Sequence, residues 1–319
     1  MTESEQKTTP LVYLLLGPTA SGKGAVALEL ARRLDAEILS IDSMKVYRRL
    51  DIGTAKPTPA ERDAVPHHLI NWKEPWESCS VADWLAEAER IIGEACARGV
   101  SLVAEGGTAL YLRALREGLF AGPGRNPDVR KQLESEAERE GLSELYRRLQ
   151  HVDAEAANKI LPSDLRRIVR ALEVFEVSGR PISKQQVQWG QLRSDIRFAA
   201  AGLEMNRKEL YARIDKRVHK MLAAGWLDEC RALLELGQPL SREARAALGY
   251  KVLFAHLRGE IDLPAATERI CFDTHHFARR QLMWYRKFND VTWITTHPGA
   301  AVDGLADSVQ KAWAQASGL

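Results

Sequence analysis

The sequence predicts an α/β fold in which a parallel sheet is accompanied by an inserted all-helical subdomain. Apolar runs of strand length alternate with amphipathic helical patterns towards both ends of the chain, which is typical of a parallel sheet. These runs are residues 11–16, 37–41, 100–105 and 198–203. From 128 to about 179 the pattern is charged and helical without a strand candidate, which indicates a separate helical subdomain.

The first apolar run leads directly into a glycine-rich segment and then into a helical pattern. The segment is Gly17-Pro18-Thr19-Ala20-Ser21-Gly22-Lys23, which has the Gly-x-x-x-x-Gly-Lys spacing of a phosphate-binding loop, or P-loop. In such a loop, backbone N–H groups and the helix N-terminus bind phosphate oxygens, and the lysine reaches the outer phosphate. We therefore predict a P-loop NTPase-like core in which this loop binds phosphate groups.

One position departs from the standard motif. The residue after the lysine is normally Ser or Thr, whose hydroxyl binds Mg²⁺, but here it is Gly24. The backbone cradle and Lys23 do not depend on that side chain. The sequence therefore supports phosphate binding better than metal binding, and it offers no confident protein ligand for a metal.

Acidic residues stand at the ends of two predicted strands. Asp42 follows the run 37–41 and Glu105 ends the run 100–105. The carboxyl ends of parallel strands meet at one edge, so both acids are expected near the P-loop. Asp42 is either a cap or a catalytic group, and Glu105 either polarises water or magnesium or faces solvent. For the pair His67–His68, hydrogen-bonding or packing roles are favoured over metal binding, because no third ligand has the right spacing.

Composition indicates an ordinary soluble protein. The chain has 319 residues, a formal net charge of +2 and an isoelectric point near 8.3, which is too mild to indicate nucleic-acid binding by itself. The four cysteines lack metal-site spacing, and neither a targeting segment nor a membrane span is apparent. We expect a cytoplasmic monomer with reduced thiols.

The domain organisation follows from shifts in composition. We expect a flexible N-terminus at 1–10, an α/β core with C-terminal helices from 11–121 and 196–319, and a helical insertion at 122–195. The later elements are predicted as helices at 207–223, 225–236, 244–257 and 264–288, with the edge strand 291–294 as the last element.

Two basic clusters indicate a large anionic partner. One comprises Arg166, Arg167 and Arg170, and the other lies in the helix predicted at 264–288, where arginines alternate with aromatic residues. Aromatic residues at helical spacing are usually core, and arginines are usually solvated. Two separate basic surfaces on a nearly neutral protein nevertheless favour a polyanion larger than a nucleotide.

Eight motifs resemble, in order, those of the tRNA dimethylallyltransferases. They are residues 17–23, 42–47, 51–57, 66–69, 106–111, 170–174, 249–251 and 279–282. The resemblance implies a P-loop α/β core with a helical insertion. It also implies transfer of a dimethylallyl group from dimethylallyl diphosphate to N6 of adenosine 37 in the tRNA anticodon loop, with Mg²⁺. The family expects Thr or Ser at Gly24 and usually an apolar residue at Glu105.

The same resemblance implies roles for individual residues. Asp42 would be the general base, and Thr19, Lys23 and Arg217 would act on the diphosphate, which the loop from Gly17 to Gly24 binds. Arg213 lies on the same helix face as Arg217, where a surface ion pair with Glu209 or Asp215 would suit Arg213 better than Arg217. The residues implied to contact tRNA are Asp42, Ser43, Met44, Lys45, Thr108, Arg130, Arg166, Arg167, Arg170, Gly249, Tyr250, Lys251, Arg279, Arg280, Gln281 and Arg286.

Three other functions share part of this pattern. A small-molecule kinase has the same loop but needs the Mg²⁺ ligand that Gly24 lacks. An isopentenyltransferase acting on free adenine nucleotides would have little use for the basic C-terminal helix. A non-catalytic RNA-binding relative would keep the fold and lose the chemistry.

Overall fold

The computed structural model describes residues 9–120, 122–186 and 190–318. Within these ranges the chain divides into two compact units. The core unit extends up to Arg116 and resumes at Arg193, and the helical unit comprises Glu117–Leu192. These limits fall a few residues before the boundaries expected at 122 and 195. Most of the N-terminal segment 1–10 lies outside the described residues.

The described residues of the core unit contain a parallel sheet of six strands. They are β1 (Leu11–Leu16), β2 (Glu37–Ile41), β3 (His67–His68), β4 (Leu102–Gly106), β5 (Arg197–Met205) and β6 (Thr292–Thr296), in the spatial order β3-β2-β4-β1-β5-β6. Every neighbouring pair is parallel. The four strands expected from apolar runs are confirmed, and β6 is the edge strand predicted at 291–294. The carboxyl ends of β1, β2 and β4 therefore lie at one edge.

Fifteen helices accompany the sheet within the described ranges. They are α1 (Lys23–Arg33), α2 (Pro59–Ala64), α3 (Val81–Ala97), α4 (Ala109–Glu117), α5 (Pro127–Glu140), α6 (Leu142–Val152), α7 (Ala154–Ala157), α8 (Leu165–Ser178), α9 (Ile182–Gln185), α10 (Arg207–Ala223), α11 (Trp226–Leu234), α12 (Arg242–Arg245), α13 (Tyr250–Leu257), α14 (Leu263–Tyr285) and α15 (Val302–Ser317). None of the described helices is both long enough and apolar enough to cross a membrane.

The C-terminal helix α15 corrects the expectation that the edge strand is the last element. It packs with α1 against one face of the sheet in the main apolar cluster. Trp313 of α15 is buried, and its Nε1 donates a 3.0 Å hydrogen bond to the carbonyl oxygen of Leu14 in β1. The other buried residues of α15 are Ala306, Val309 and Ala312.

The helix predicted at 244–257 is also wrong, because the chain forms α12 and α13 with a break between them. Gly249 stands at the break with φ 82°, a left-handed conformation that favours glycine. A Cβ at this position would lie 2.2 Å from the ring of Trp226. A continuous helix is therefore incompatible with the close packing of Trp226 on residue 249.

The helical unit contains α5 to α9 and has its own apolar core. Buried leucine, isoleucine and valine side chains from α5, α6 and α8 form it, among them Leu133, Leu145, Leu149, Ile168 and Leu172. Asn126 caps the N-terminus of α5, and Asp164 caps that of α8 through a bond from the N–H of Arg167. The helices thus begin where polar caps precede amphipathic patterns.

Candidate active site

The predicted P-loop connects β1 to α1 in a conformation suited to an anion. Ala20 has φ 64° and Gly22 has φ 96°, so two left-handed residues turn successive backbone N–H groups around the loop. Helix α1 begins at Lys23 directly after Gly22, which directs the positive end of its dipole into the same place. A Cβ at Gly17 would lie 2.9 Å from the carbonyl oxygen of Leu203, so β5 packs directly against the loop.

The ammonium group of Lys23 is removed from solvent in this loop. Burial lowers the pKa of Lys23 to about 8, although the nearby carboxylate of Glu105 acts in the opposite direction. Lys45 and Arg217 are cations that lower this pKa further. Lys23 thus belongs to a group of neighbouring cations, and a bound phosphate anion would offset their mutual repulsion.

The amide of Gln281 holds two loops of the site together. Its Oε1 accepts the backbone N–H of Thr19 at 2.8 Å, and its Nε2 donates to the carbonyl oxygen of Gly107 at 2.8 Å. The side chain is buried, and a Cβ at Gly107 would approach its Nε2 to 2.3 Å. Gln281, implied above as a tRNA contact, therefore fixes the P-loop against the loop after β4. The tRNA contact stays a prediction.

Asp42 caps the turn that follows β2. Its Oδ1 accepts the backbone N–H of Met44 at 2.8 Å and that of Lys45 at 3.2 Å. Oδ2 receives no hydrogen bond from the part of the chain that the structure describes. Thr108 steadies the same turn, because its Oγ1 accepts the N–H of Ser43 at 2.9 Å. The two interpretations of Asp42 are compatible, since one oxygen caps the turn and the other remains available for chemistry.

Helix α10 brings two arginines to the P-loop. The Nη1 of Arg217 donates a 3.4 Å hydrogen bond to the Oγ1 of Thr19. One turn earlier, the guanidinium of Arg213 approaches Gly22, with Nη2 3.7 Å from the point where a Cβ would stand. Asp215, considered above as a partner for Arg213, instead pairs with His275 at 2.8 Å. The i, i+4 spacing predicted the common face, but only the fold reveals that Arg213 reaches the loop.

These groups border a cavity of about 510 Å³ in the core unit. The polar lining includes Thr19, Asp42, Thr108, Arg217 and Arg280. The rest of the lining is largely apolar and aromatic, and comes mainly from α10, α11, α13 and α14 and from the segment before α13: Ile214, Val218, Met221, Trp226, Leu248, Tyr250, Ile270, Phe277 and Trp284. The cavity therefore combines a polar end with an apolar wall, as small-molecule sites do.

The aromatic wall is anchored by Glu229, which the sequence analysis did not identify. Its Oε2 accepts the backbone N–H groups of Asp51 and Ile52 at 2.9 and 2.8 Å. Its Oε1 accepts the hydroxyl of Tyr250 at 2.5 Å and the N–H of Gly53 at 3.3 Å. One carboxylate thus fixes the segment 51–53 against α13. The motif 51–57 was visible in the sequence, but its acidic partner lies 176 residues from Gly53.

Glu105 does not face solvent, so that interpretation is wrong. It is only 4% exposed, and its Oε1 lies 2.8 Å from the Nζ of Lys45. Burial alone would raise the pKa of Glu105, but the ammonium groups of Lys45 and Lys23 hold it well below its usual range. Glu105, Lys45 and Gly24 border a second cavity of about 210 Å³ on the Gly24 side of the P-loop.

The residues of the core unit that were expected to contact tRNA differ in exposure. Arg279 and Arg280 on α14 are exposed, as are Arg286 directly after α14 and Lys251 on α13. Gly249 and Tyr250 are buried and belong to the cavity wall or its support. The exposed arginines leave cationic groups on one helix for a polyanion.

In the helical unit, the expected contacts fall into two groups. Arg130 and Arg170 both pair with the fully buried carboxylate of Glu173, at 2.8 and 2.7 Å. Glu173 also accepts the N–H of Asn126, so this cluster stabilises the start of α5. Arg166 and Arg167 are exposed on α8. The exposed pair is the better candidate for phosphate contacts.

Metal ligands are scarce around these cavities. Among the described residues, no group of three or more His, Cys, Asp or Glu side chains could hold a metal ion. The Nδ1–H of His67 donates to the carbonyl oxygen of Val65 and His68 pairs with Glu37, each at 2.7 Å. At Gly24, no atom lies within 4 Å of the point where a Cβ would stand, so no hydroxyl or carboxylate of a neighbour replaces the missing side chain there.

Comparison with known families adds to this geometry. A family model described as IPP transferase matches residues 45–288, and one described as Isopentenyl transferase matches residues 10–71. This chain belongs to the IPP transferase family. The P-loop motif and the Asp42 turn lie within the match to residues 10–71, and the arginines of α14 lie within the match to residues 45–288.

Named relatives in the IPP transferase family match most of the chain. The tRNA dimethylallyltransferase of Geobacter metallireducens is 43% identical, over 92% of this chain and 95% of its own. The tRNA dimethylallyltransferase of Anaeromyxobacter dehalogenans is 46% identical, over 94% of this chain and 99% of its own. The similarity is therefore not confined to the P-loop.

Solved structures agree with the family assignment. The tRNA isopentenylpyrophosphate transferase of Bacillus halodurans superposes with a TM-score of 0.69 at 35% identity, covering 97% of this chain and 98% of its own. A eukaryotic dimethylallyltransferase that acts on tRNA gives a TM-score of 0.77 at 25% identity, covering 94% and 77%. The predicted P-loop NTPase-like fold is confirmed.

Proposed function

We propose that this protein transfers a dimethylallyl group from dimethylallyl diphosphate to N6 of adenosine 37 in tRNA and releases diphosphate. One observation carries the proposal: Asp42, Thr19 and Arg217 border a single cavity, with Arg217 hydrogen-bonded to Thr19 beside the P-loop. A carboxylate that could act as a base and the proposed diphosphate-binding loop thus border the same space. Membership of the IPP transferase family supports this assignment.

The P-loop end of the cavity is suited to the departing diphosphate. As the C1–O bond of the donor breaks, the diphosphate leaves with the bonding electrons, and negative charge grows on its oxygens. The loop N–H groups, Lys23 and Arg217 are fixed beside it before the reaction begins. Such pre-organised cations and dipoles stabilise developing charge most strongly where water is excluded.

The apolar wall is suited to the five-carbon group. Ile214, Val218 and Met221 of α10 line the cavity on the same helix that carries Arg217. A donor with its diphosphate at the P-loop would therefore lay its hydrocarbon chain along these side chains. Exclusion of water there would also protect a carbocation-like carbon from hydrolysis.

Asp42 is suited to the acceptor. The N6 amine of adenine is a weak nucleophile because its lone pair is delocalised into the ring. As N6 forms its bond to C1, the amine loses a proton, which we assign to the Asp42 carboxylate. The bonds to Met44 and Lys45 fix the carboxylate, and Oδ2 accepts no hydrogen bond from described residues. Asp42 therefore has an oxygen that can receive this proton.

The tRNA must present its base to this cavity. Adenosine 37 would leave the anticodon stack, which costs about a few kcal/mol and requires compensating contacts to phosphates. Arg279, Arg280 and Arg286 of the core unit are exposed for such contacts. In the helical unit, Arg166 and Arg167 are exposed likewise.

Magnesium fits this site only as a companion of the donor. Mg²⁺ commonly keeps several waters and uses substrate phosphates together with one or two carboxylates. Gly24 supplies no ligand, and Glu105 is already paired with Lys45. When bound, Mg²⁺ would neutralise charge on the diphosphate, and we expect it to be held by diphosphate and water.

A transfer assay with three acceptors tests the function. Labelled dimethylallyl diphosphate is incubated with tRNA, with AMP, or with no acceptor, and label is expected in tRNA alone, at adenosine 37. A tRNA in which adenosine 37 is replaced by guanosine is the matched control and should remain unlabelled. Label in AMP would contradict the tRNA specificity. If neither tRNA nor AMP became labelled, the transferase assignment would be contradicted.

A further inference from the structure

Glu105 is a buried acid with no part in the steps described above. It lies near the carboxyl end of β4 and pairs in register with Leu15 of β1, the strand that leads into the P-loop. A buried carboxylate costs free energy unless charged or hydrogen-bonding partners compensate. The groups that compensate the charge of Glu105 therefore indicate its role in the site.

The partners of Glu105 are the two lysines of the site. Lys45 makes the direct ion pair at 2.8 Å, with both side chains largely buried. Lys23 is the second cation that interacts with Glu105, and Lys23 and Lys45 also repel each other. Glu105 therefore balances two like charges that the P-loop brings together.

The other charged groups around Lys23 do not replace Glu105. Arg217 from α10 adds repulsion, and Asp42 after β2 contributes less than Glu105 to keeping Lys23 charged. His67 of β3 interacts with Glu105 and Lys45, but burial lowers its pKa, so its ring is neutral near pH 7. Glu61 borders the same 210 Å³ cavity, but its carboxylate caps α2 through Thr58.

We propose that Glu105 is a positioning residue of the diphosphate site, which holds the ammonium groups of Lys23 and Lys45 together in charged form beside the P-loop. This inference rests on the proposed function, because it concerns binding of the allylic diphosphate donor. In this role, Glu105 would need no direct contact with the substrate. The open space at Gly24 lies in the cavity that Glu105 and Lys45 border.

The sign of the pH dependence follows from the position of Lys23. Its pKa of about 8 means that the protonated form, which binds diphosphate, is lost as the pH rises above that value. Removing the Glu105 charge takes away a group that raises this pKa. The decline in donor affinity should then begin at lower pH.

The experiment measures binding of dimethylallyl diphosphate alone by calorimetry, at fixed Mg²⁺, from pH 6.5 to 9.5. In wild type, the affinity should decline above pH 8. In Glu105→Gln the decline should start about one pH unit lower, with affinity at pH 7.5 reduced by about threefold. Glu105→Asp keeps the charge and should restore most of the affinity. Glu61→Gln is the control, because glutamine keeps the cap of α2, and its profile should overlay that of wild type.

A second variant keeps the proposal testable should Glu105→Gln not fold. Lys45→Met removes the repulsion on Lys23, so the decline should move to higher pH. Superposition of the Glu105→Gln and wild-type pH profiles would overturn the proposal. In a parallel titration with Mg²⁺, a change confined to the concentration needed for half-maximal binding would also overturn the proposal, since Glu105 would then be a metal ligand. If the wild-type protein bound no donor, the proposed function would be contradicted as well. If the wild-type protein were active and the pH profiles of wild type and Glu105→Gln superposed, only the role of Glu105 would be contradicted.

Discussion

Thr19 and Gln281 are 262 residues apart in the chain, yet the N–H of Thr19 donates a 2.8 Å hydrogen bond to the Oε1 of Gln281. The amide of Gln281 is buried and also donates to Gly107. The helix that carries the exposed side chains of Arg279 and Arg280 therefore also fixes the P-loop. The proposed donor site and the proposed tRNA surface thus share α14 as a support.

Gln281→Met should weaken binding of dimethylallyl diphosphate by about ten- to a hundredfold. The substitution keeps the length of the side chain but leaves the Thr19 N–H and the Gly107 carbonyl without their partner, at about 1–3 kcal/mol. Calorimetric titration with the donor measures the change. Met283→Gln, on the exposed side of α14, is the matched control and should bind the donor like wild type. Equal affinities for Gln281→Met and wild type would show that the loop holds its shape unaided.

Asp42→Asn should reduce the rate of transfer by about 10²–10⁴-fold, because the amide keeps the size and the hydrogen bonds to the turn but cannot accept the proton from N6. Binding of tRNA should stay close to that of wild type. Single-turnover rates with saturating tRNA provide the measurement, and filter binding provides the control. A single-turnover rate within tenfold of wild type would remove Asp42 from the role of base.

Gly24→Thr should tighten the dependence on Mg²⁺ and raise the rate. The threonine would restore a hydroxyl beside Lys23, and the structure has room for it, since no atom lies within 4 Å of the new Cβ position. Gly24→Val, which has a similar shape without the hydroxyl, separates the chemical effect from the steric one. If titrations with Mg²⁺ superimpose for Gly24→Thr and wild type, the ion is held by diphosphate and water alone.

The double substitution Arg279→Ala with Arg280→Ala should weaken binding of tRNA and flatten its dependence on salt. Each lost phosphate contact should reduce the slope of log K against log salt by somewhat less than about one unit. Affinity for dimethylallyl diphosphate should hardly change. Arg231→Ala with Arg258→Ala, two exposed arginines on other elements with acidic neighbours, is the control. An unchanged slope in the first variant would identify Arg279 and Arg280 as ordinary surface charge.

The sequence predicted the parts of this fold that depend on local pattern. The run 11–16, the loop to Lys23 and the helix 207–223 each have a periodicity or spacing that is readable in a short window. The sequence analysis missed α15, although its buried residues Ala306, Val309 and Trp313 recur at helical spacing. The break at Gly249 depends on the ring of Trp226, which no local pattern contains.

The same distinction between local pattern and distant contacts applies to the residues of the candidate site. Lys23 and Asp42 were predicted because motifs surround them. Glu229 and the bridging role of Gln281 were not, since their partners lie far away in sequence. Glu105 could be placed at a strand end, but its burial and its pairing with Lys45 depend on how β2 and β4 lie side by side.

The hydrogen bond from Trp313 to Leu14 spans 299 residues and has a consequence for biosynthesis. A ribosome makes β1 and α1 long before α15, so the part of the sheet face that α15 covers stays exposed until α15 has been made. Contacts of such long range slow folding and leave apolar surface exposed meanwhile. The helical unit differs, because Leu133, Leu145 and Ile168 close its core within a short stretch of chain. During translation, the helical unit can therefore become compact while the first strand of the sheet is still without its final partner.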